Sequence, residues 1–425
     1  MTRIVVTKPW QPVVAIALVS TGVVLVDIPS GTWLTTATMS LASGVAALAL
    51  MAAAAILSGR WSWLEGLFGG LDRVYEVHKW LAIAALSFAS VHLLFKAGTG
   101  EWETAAILAL PGEWTRFVRQ ASFVGLMLIV MLALNRNIPY SAWRWWHRLS
   151  GPLFLIVVLH WVSIKSPLPL VSPAGIWLGA LSVLGFGAAV YKLLLYPIIA
   201  NHAEYRVLGV TRGPAAVQIE LEPTRRGISF RPGQFGFLRM KVDGLRESHP
   251  FTIAAAEAPS GRVSFVIRAL GDYTQKLIST IQPGMLADIY APYGRFERSP
   301  RAEREIWVGG GVGISPFLAW LQDRNAENLQ RVSLFYFYTP DRAFPEINAL
   351  RDLAAQKGVE FVPVSSGPST PSFVERFAEI IREDDTAKLD IAVCGPAGLL
   401  NHIRVLAVAN GVEPEKIRHE LFVFR

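Results

Sequence analysis

HKWLAIAALSFASVH, residues 78–92, sets a histidine at each end of an apolar run. A second stretch, HRLSGPLFLIVVLH at residues 147–160, repeats the arrangement. An ionisable side chain inside a membrane segment is costly and marks function by default. Working outward, six runs approach the ~20 apolar helical residues that a bilayer crossing needs. They are 10–28, 35–57, 77–95, 117–134, 147–164 and 175–200, the fourth being weakest because Arg119 and Gln120 sit near its start. The first run follows Arg3 and Lys8 as a signal peptide would. Asp27-Ile28-Pro29 is a poor cleavage site, however, so this run is expected to remain as a helix.

The composition agrees. Of 425 residues, 52% are hydrophobic, and charge is sparse before about residue 196. The net charge of +7 is not gathered into a basic block or an interleaved aromatic stripe, so no nucleic-acid partner is expected. Cys394 is the single cysteine, which excludes an intramolecular disulfide and a cysteine-bound iron–sulfur cluster. With the N-terminus inside, Arg3, Lys8, Arg60, Arg73, Lys79, Arg136, Arg144 and Arg148 fall on the inner side. Only Lys96, Arg116, Arg119 and Lys165 fall outside, as the positive-inside rule requires. An even number of spans then returns the second half to the cytoplasm, at the plasma (inner) membrane.

In that topology His78 and His147 lie at the inner ends of spans three and five, and His92 and His160 toward the outer ends. Separations of 14 and 13 residues correspond to about 21 and 20 Å of helix. Two helices thus offer two imidazole pairs at two depths. A pair of axial imidazoles suits iron in a porphyrin, so two haem b groups are expected. At 100° per residue, 14 positions return to within ~40° of one face, but 13 positions miss by ~140°. A kink or loosened turn at Gly151-Pro152 is therefore expected to re-aim His147. These runs resemble the membrane domain of the ferric reductase and NADPH oxidase family, whose third and fifth spans carry paired haem ligands of this kind.

Beyond about His202 the pattern turns to short β-type runs. VQIELEP and GRVSFVIRAL alternate, and RPGQFGFLRM places Pro-Gly between extended pieces, as in a small antiparallel barrel. HPFTIAAA, FVIRALGDYTQKL and APYGRF follow in that order. Then EIWVGGGVGISPFLAWL reads as a strand, a glycine cluster and a helix start. Gly309, Gly310, Gly311 and Gly313 let the backbone turn tightly beside a ligand. Ser315 is the expected N-cap and Pro316 the first helical residue. Such a helix start faces the pyrophosphate of a dinucleotide. The remaining strand–helix alternation reads as a doubly wound α/β domain.

In sequence this half resembles the ferredoxin reductase superfamily. That resemblance implies that His249, Pro250, Phe251 and Thr252 line FAD. It also implies that Arg268 meets the flavin pyrophosphate, with Gly271 and Thr274 in the following turn. It makes Arg342 the reader of the NADPH 2′-phosphate and sets Cys394 beside the nicotinamide. A near-terminal aromatic, Phe422 or else Phe424, is implied to stack on the flavin.

The fold class expected is membrane α plus soluble α/β. A six-helix haem-binding domain (1–200) precedes an FAD-binding β-barrel (201–300) and an NADPH-binding α/β domain (301–425). The resemblance implies a transmembrane flavocytochrome b carrying electrons from NADPH to an outer acceptor, O2 or a ferric chelate. A membrane donor to a periplasmic partner protein is the alternative of another class. With the reductase modules fused, lipid and a small-molecule acceptor are the expected partners, and no obligatory protein is.

Overall fold

The computed structural model describes residues 8–299, 302–344 and 346–420. The chain divides into two compact units between Ala200 and Asn201.

The first unit is helical: α1 (Trp10–Asp27), α2 (Thr36–Leu57), α3 (Ser62–Phe68), α4 (Leu71–Leu94), α5 (Gly112–Leu134), α6 (Tyr140–His147), α7 (Ser150–Ser163), α8 (Pro173–Val190) and α9 (Tyr196–Ile199). A π-helical turn, Tyr191–Leu195, joins the last two. Among the described residues five helices are long and apolar enough to cross a membrane: α1, α2, α4, α5 and the run Pro173–Ile199. The expected fifth crossing, 147–164, is not one helix. It breaks at Arg148 and Leu149, and α7 has only 14 residues, about 21 Å. The break precedes Gly151-Pro152 because a proline, lacking an N–H, is tolerated in a first helical turn. The helix restarts there instead of kinking. That interruption removes the 13-residue phase problem, since His147 and His160 sit on separate helices.

Alanine-rich α2 is the buried centre of the bundle, and Ala49, Leu50 and Ala52 are fully enclosed. The periphery is apolar too: Val26, Leu94, Val183 and Ile198 are 72%, 76%, 72% and 74% exposed. An apolar outside over an apolar inside is what a lipid environment selects. Small residues set the helix spacing. A Cβ on Gly125 of α5 would lie 2.6 Å from Leu153 Cδ1 on α7. Asp27 ends α1 and caps α8, its carboxylate accepting from Ser172 Oγ at 2.6 Å and from the Ala174 N–H at 2.9 Å.

The second unit begins with β1 (His202–Arg212), β2 (Ala216–Pro223), β3 (Phe235–Met240), β4 (His249–Thr252), β5 (Val263–Arg268), α10 (Asp272–Thr280) and β6 (Leu286–Tyr293). The six strands are ordered β4-β3-β6-β1-β2-β5, and every pairing is antiparallel. An antiparallel bridge between Ile253 and Phe265 joins the two edges and closes a barrel. Its interior holds the alternate residues Val217, Ile219 and Leu221 of β2, with Leu277 of α10 packed alongside.

There follow β7 (Arg304–Gly310), α11 (Ser315–Gln322), β8 (Val332–Phe337), α12 (Ile347–Gln356), β9 (Glu360–Val364), α13 (Pro371–Glu383), β10 (Leu389–Cys394), α14 (Ala397–Ala409) and β11 (Ile417–Glu420). These strands form a parallel sheet, β11-β10-β7-β8-β9. Helices cover both faces. Phe373, Phe377, Ile380 and Ile381 give α13 one buried stripe, while α11 packs through Phe317 and Trp320 on the other side. From β7 the chain winds first through β8 and β9, then returns to lay β10 and β11 on the opposite side. The switch point therefore lies between β7 and β10, where α/β sheets bind ligands.

Candidate functional site

The helical unit brings its four histidines together as two pairs. The rings of His78 and His147 have centroids 6.0 Å apart, and those of His92 and His160 are 6.4 Å apart. On the α4 side each ring is tethered to α2. His78 Nδ1 donates to the Ala54 carbonyl at 2.8 Å, and His92 Nδ1 to the Ser40 carbonyl at 2.9 Å. A carbonyl only accepts, so Nδ1 carries the proton and Nε2 keeps its lone pair for a ligand. Ser40 and Ala54 are 14 residues apart, as are His78 and His92, so antiparallel α2 and α4 repeat one contact at both depths. Gly44 makes the close approach possible, because a Cβ there would lie 2.8 Å from His92 Nδ1.

On the opposite side the Nδ1 atoms of His147 and His160 are buried without a hydrogen-bond partner. His147 is held by stacking on Trp143, with centroids 5.1 Å apart and planes 19° apart. The pairs fit axial ligation of iron. Two metal–imidazole bonds of about 2 Å each, plus about 1 Å from each ring nitrogen to its centre, sum to roughly 6 Å. Among the described residues no group of three or more His, Cys, Asp or Glu side chains is gathered as a metal site. A metal held by either pair would take its remaining ligands from outside these side chains.

In the barrel, His249, Pro250, Phe251 and Thr252 form β4, paired with β3. His249 stacks on Tyr273 at 3.8 Å, and its Nε2 is 3.2 Å from Glu247 Oε2. Arg268 ends β5 exposed, and Gly271 caps α10. Thr274 Oγ1 accepts from the N–H groups of Leu270 and Gly271 at 2.9 and 3.1 Å, which folds the turn between them. Arg268, Gly271 and Thr274 thus share one strand-to-helix corner.

At the switch point of the sheet, Gly309 pairs with Cys394 in register. Gly311 adopts a left-handed φ of +57°, which only glycine takes freely. A Cβ on Gly313 would sit 2.2 Å from the Cys394 carbonyl oxygen, and one on Gly310 would sit 3.0 Å from Pro396 Cδ. At Gly313 two backbones meet directly, while Leu399 and Pro396 pack on Gly310. Ser315 is not the N-cap expected from sequence. Residues Gly311–Ile314 make a 3-10 turn, Ile314 occupies the cap, and Ser315 is already helical with its hydroxyl donating to the Val312 carbonyl at 2.8 Å. The extra turn tightens the chain before α11 and draws Ser315 inside, while Pro316 remains in the first turn. Arg342 ends a 3-10 turn just after β8, exposed and with no ion-pair partner among the described residues. Phe422 and Phe424 lie outside the described residues.

Residues 43–158 match the family model of the ferric reductase like transmembrane component, and 209–298 match the oxidoreductase FAD-binding domain. The chain thus carries a ferric reductase-like transmembrane stretch followed by an FAD-binding oxidoreductase stretch. Over 383 residues it is 22% identical to ferric/cupric reductase transmembrane component 7 of Saccharomyces cerevisiae, covering 82% of this chain and 58% of the yeast protein. NADPH oxidase 1 of Mus musculus is 31% identical over 130 residues, 28% of this chain and 22% of the mouse protein. The reductase component of propane 2-monooxygenase from Rhodococcus jostii is 26% identical over 221 residues, 48% of this chain and 59% of that protein. The chain therefore spans less than two thirds of each relative.

Within the FAD-binding reductase half, the structure adds a residue that sequence reading passed over. Glu420 is buried at the end of β11, in register with Cys394, and its Oε2 accepts from Thr252 Oγ1 at 3.4 Å. It links the barrel's HPFT strand to the Cys394 corner. Its trace in the sequence is an acid set directly before the apolar run LFVF.

Burial pushes the Cys394 thiol up, and the Glu420 carboxylate adds to the effect. The thiol stays protonated where a free one, near pH 8.5, is half ionised. Its folded pKa exceeds its unfolded one, so the associated stability is present below about pH 8.5 and lost as pH rises further. Iodoacetamide at pH 8.5 is expected to label Cys394 much more slowly in the native chain than in urea. Equal rates would place the thiol at the surface.

Proposed function

We propose that this chain is a transmembrane flavocytochrome b that oxidises cytoplasmic NADPH and delivers electrons to an acceptor beyond the membrane. The observation that carries it is the pair of imidazole couples, 6.0 and 6.4 Å across, tethered to α2 carbonyls with one repeat. His78 with His147, and His92 with His160, would each hold one haem iron. FAD held by the barrel would supply the conversion of a hydride's electron pair into single electrons, and iron held by His78 with His147 and His92 with His160 would supply one-electron transfer.

The chain's own residues prepare that chemistry. The α2 carbonyls fix the tautomers of His78 and His92 and aim Nε2 at the metal. Arg268, Gly271 and Thr274 offer a cation and a hydrogen-bonded corner to a pyrophosphate. Bare backbone at Gly309, Gly310, Gly311 and Gly313 lets the dinucleotide approach, and the Pro316 helix start faces its phosphates. The Arg342 fork meets the 2′-phosphate. Thr252, Glu420 and Cys394 supply a buried polar corner containing a neutral thiol, suited to positioning and not to nucleophilic attack. Phe422, or Phe424, is proposed to cover the flavin until nicotinamide displaces it.

Each NADPH yields NADP+, a proton on the inner side and two electrons. These reduce two O2 to superoxide, the reading placed first. One relative, matched over 82% of this chain, is named a ferric/cupric reductase, which supports reduction of two ferric chelates as the second. Lipid and the small acceptor are the proposed partners, and the inner membrane with a cytoplasmic N-terminus the proposed location. The test is a pyridine haemochromogen count on the purified chain together with NADPH oxidation under O2 alone and under a ferric chelate without O2. Two haems per chain are expected. One or none would overturn the reading.

A further inference from the structure

Phe344 stands two residues beyond Arg342 and is only 7% exposed, although residues 339–342 just before it are exposed. Its ring packs on the hairpin that joins β1 to β2 of the barrel. A Cβ on Gly213 in that hairpin would lie 2.2 Å from Phe344 Cδ2 and 2.8 Å from Phe344 Cγ. A side chain there would drive the ring out, so the bare backbone of Gly213 forms its seat. Ala216 and Val266 of the barrel share one apolar cluster with Phe344, Tyr336 and Phe317. The ring therefore reaches from the turn after β8 across to the barrel.

That seat is rigid. The Gly213 N–H donates to the Ala216 carbonyl at 2.9 Å, and the Ala269 N–H to the Ala215 carbonyl at 3.2 Å. Arg212 ties the same hairpin to the end of α10, its guanidinium donating to the Ile278 carbonyl and, at 2.7 Å, to the Ile281 carbonyl. Such cation contacts satisfy the last carbonyls of a helix. The turn itself is held from β8. Tyr336 Oη donates to the Phe344 carbonyl at 3.2 Å, and the Arg342 N–H donates to the Thr339 carbonyl at 2.9 Å. Both ends of the segment 339–344 are fixed, and Arg342 projects between them. Ordering a loop and a long side chain on binding costs affinity, and a loop already held in its bound conformation avoids part of that cost.

We propose that Phe344, seated on Gly213, is a positioning residue that holds the Arg342 turn ready for the 2′-phosphate of NADPH. The barrel then takes part in choosing NADPH over NADH, although it carries no group that meets the phosphate. The assignment rests on the reading of Arg342 given above. A Phe344 that only filled the core would affect both dinucleotides alike, because they differ in the 2′-phosphate alone.

Binding of NADP+ and of NAD+ to the purified full chain, measured by calorimetry, tests this without turnover. Gly213→Ala displaces the ring and Tyr336→Phe releases the Phe344 carbonyl, and neither changes Arg342. Each should weaken NADP+ roughly 2- to 10-fold, the ordering of one flexible side chain, and leave NAD+ unchanged. In an Arg342→Ala background neither should weaken NADP+ further, since the contact they prepare is gone. Unchanged NADP+ affinity in either variant overturns the inference, as does equal weakening of NADP+ and NAD+. So does an undiminished effect in the Arg342→Ala background. Should Gly213→Ala not fold, Tyr336→Phe decides. Equal losses of NADP+ and NAD+ in Arg342→Ala alone remove the reading of Arg342 itself. A selective loss there, with no effect of Gly213→Ala or Tyr336→Phe, removes only this inference.

Discussion

His92→Leu is expected to cut the haem content of the purified chain from two to one and to abolish reduction of the outer acceptor. NADPH should still reduce the flavin in this variant. His92 and His160 face each other with ring centroids 6.4 Å apart, and leucine offers no lone pair to a metal. The pair His78 and His147 belongs to the other end of the helices and keeps its own tether, so its spectrum should persist. Gly44→Ala is the graded companion. Its new Cβ would meet His92 Nδ1 at 2.8 Å and displace a ring whose aim depends on the Ser40 carbonyl. Disturbing such an orienting contact commonly costs about 10- to 100-fold in metal affinity, so Gly44→Ala should loosen the same haem without removing it. The checks are the haemochromogen count, low-temperature spectra that resolve the two haems, and acceptor reduction with stopped-flow flavin absorbance. Acceptor reduction by His92→Leu at the wild-type rate would rule out this pair as the exit.

Arg342→Ala is expected to raise the NADPH Michaelis constant roughly 10- to 100-fold and leave NADH nearly unchanged. The side chain projects exposed from the turn after β8, beside the strand that carries the glycine loop. With no ion-pair partner among the described residues, its fork is available to a phosphate. Charge-assisted hydrogen bonds of this type contribute ~1.5–3 kcal/mol, and 1.4 kcal/mol is tenfold in an equilibrium constant. Because NADH lacks the 2′-phosphate, the ratio of the two constants isolates the contact from any change in the rest of the site. Steady-state kinetics with both cofactors measure it. Equal losses for NADPH and NADH would show that Arg342 supports the β8 turn instead.

Much of this architecture is written locally. Long apolar runs, the flanking charges, the alternation of VQIELEP and the glycine cluster after IWV each act over a few residues, so they are legible in one dimension. The 14-residue step from His78 to His92 is likewise a property of a single helix. Other features depend on groups that no residue name encodes or that meet only when distant segments pack. The tethers of His78 and His92 are backbone carbonyls of α2, which any residue type supplies. The break at Arg148 and Leu149, and not a kink at Gly151-Pro152, separates His147 from His160, since proline fits a first helical turn as readily as it bends a helix. Ser315 reads as a cap by residue type, yet the 3-10 turn before it moves the cap to Ile314. Glu420 joins Thr252 across 168 residues, and Phe344 finds its seat on Gly213 only when the barrel and the α/β sheet pack together. Spacing and hydropathy follow from side-chain chemistry along the chain, whereas burial and pairing belong to the packed whole.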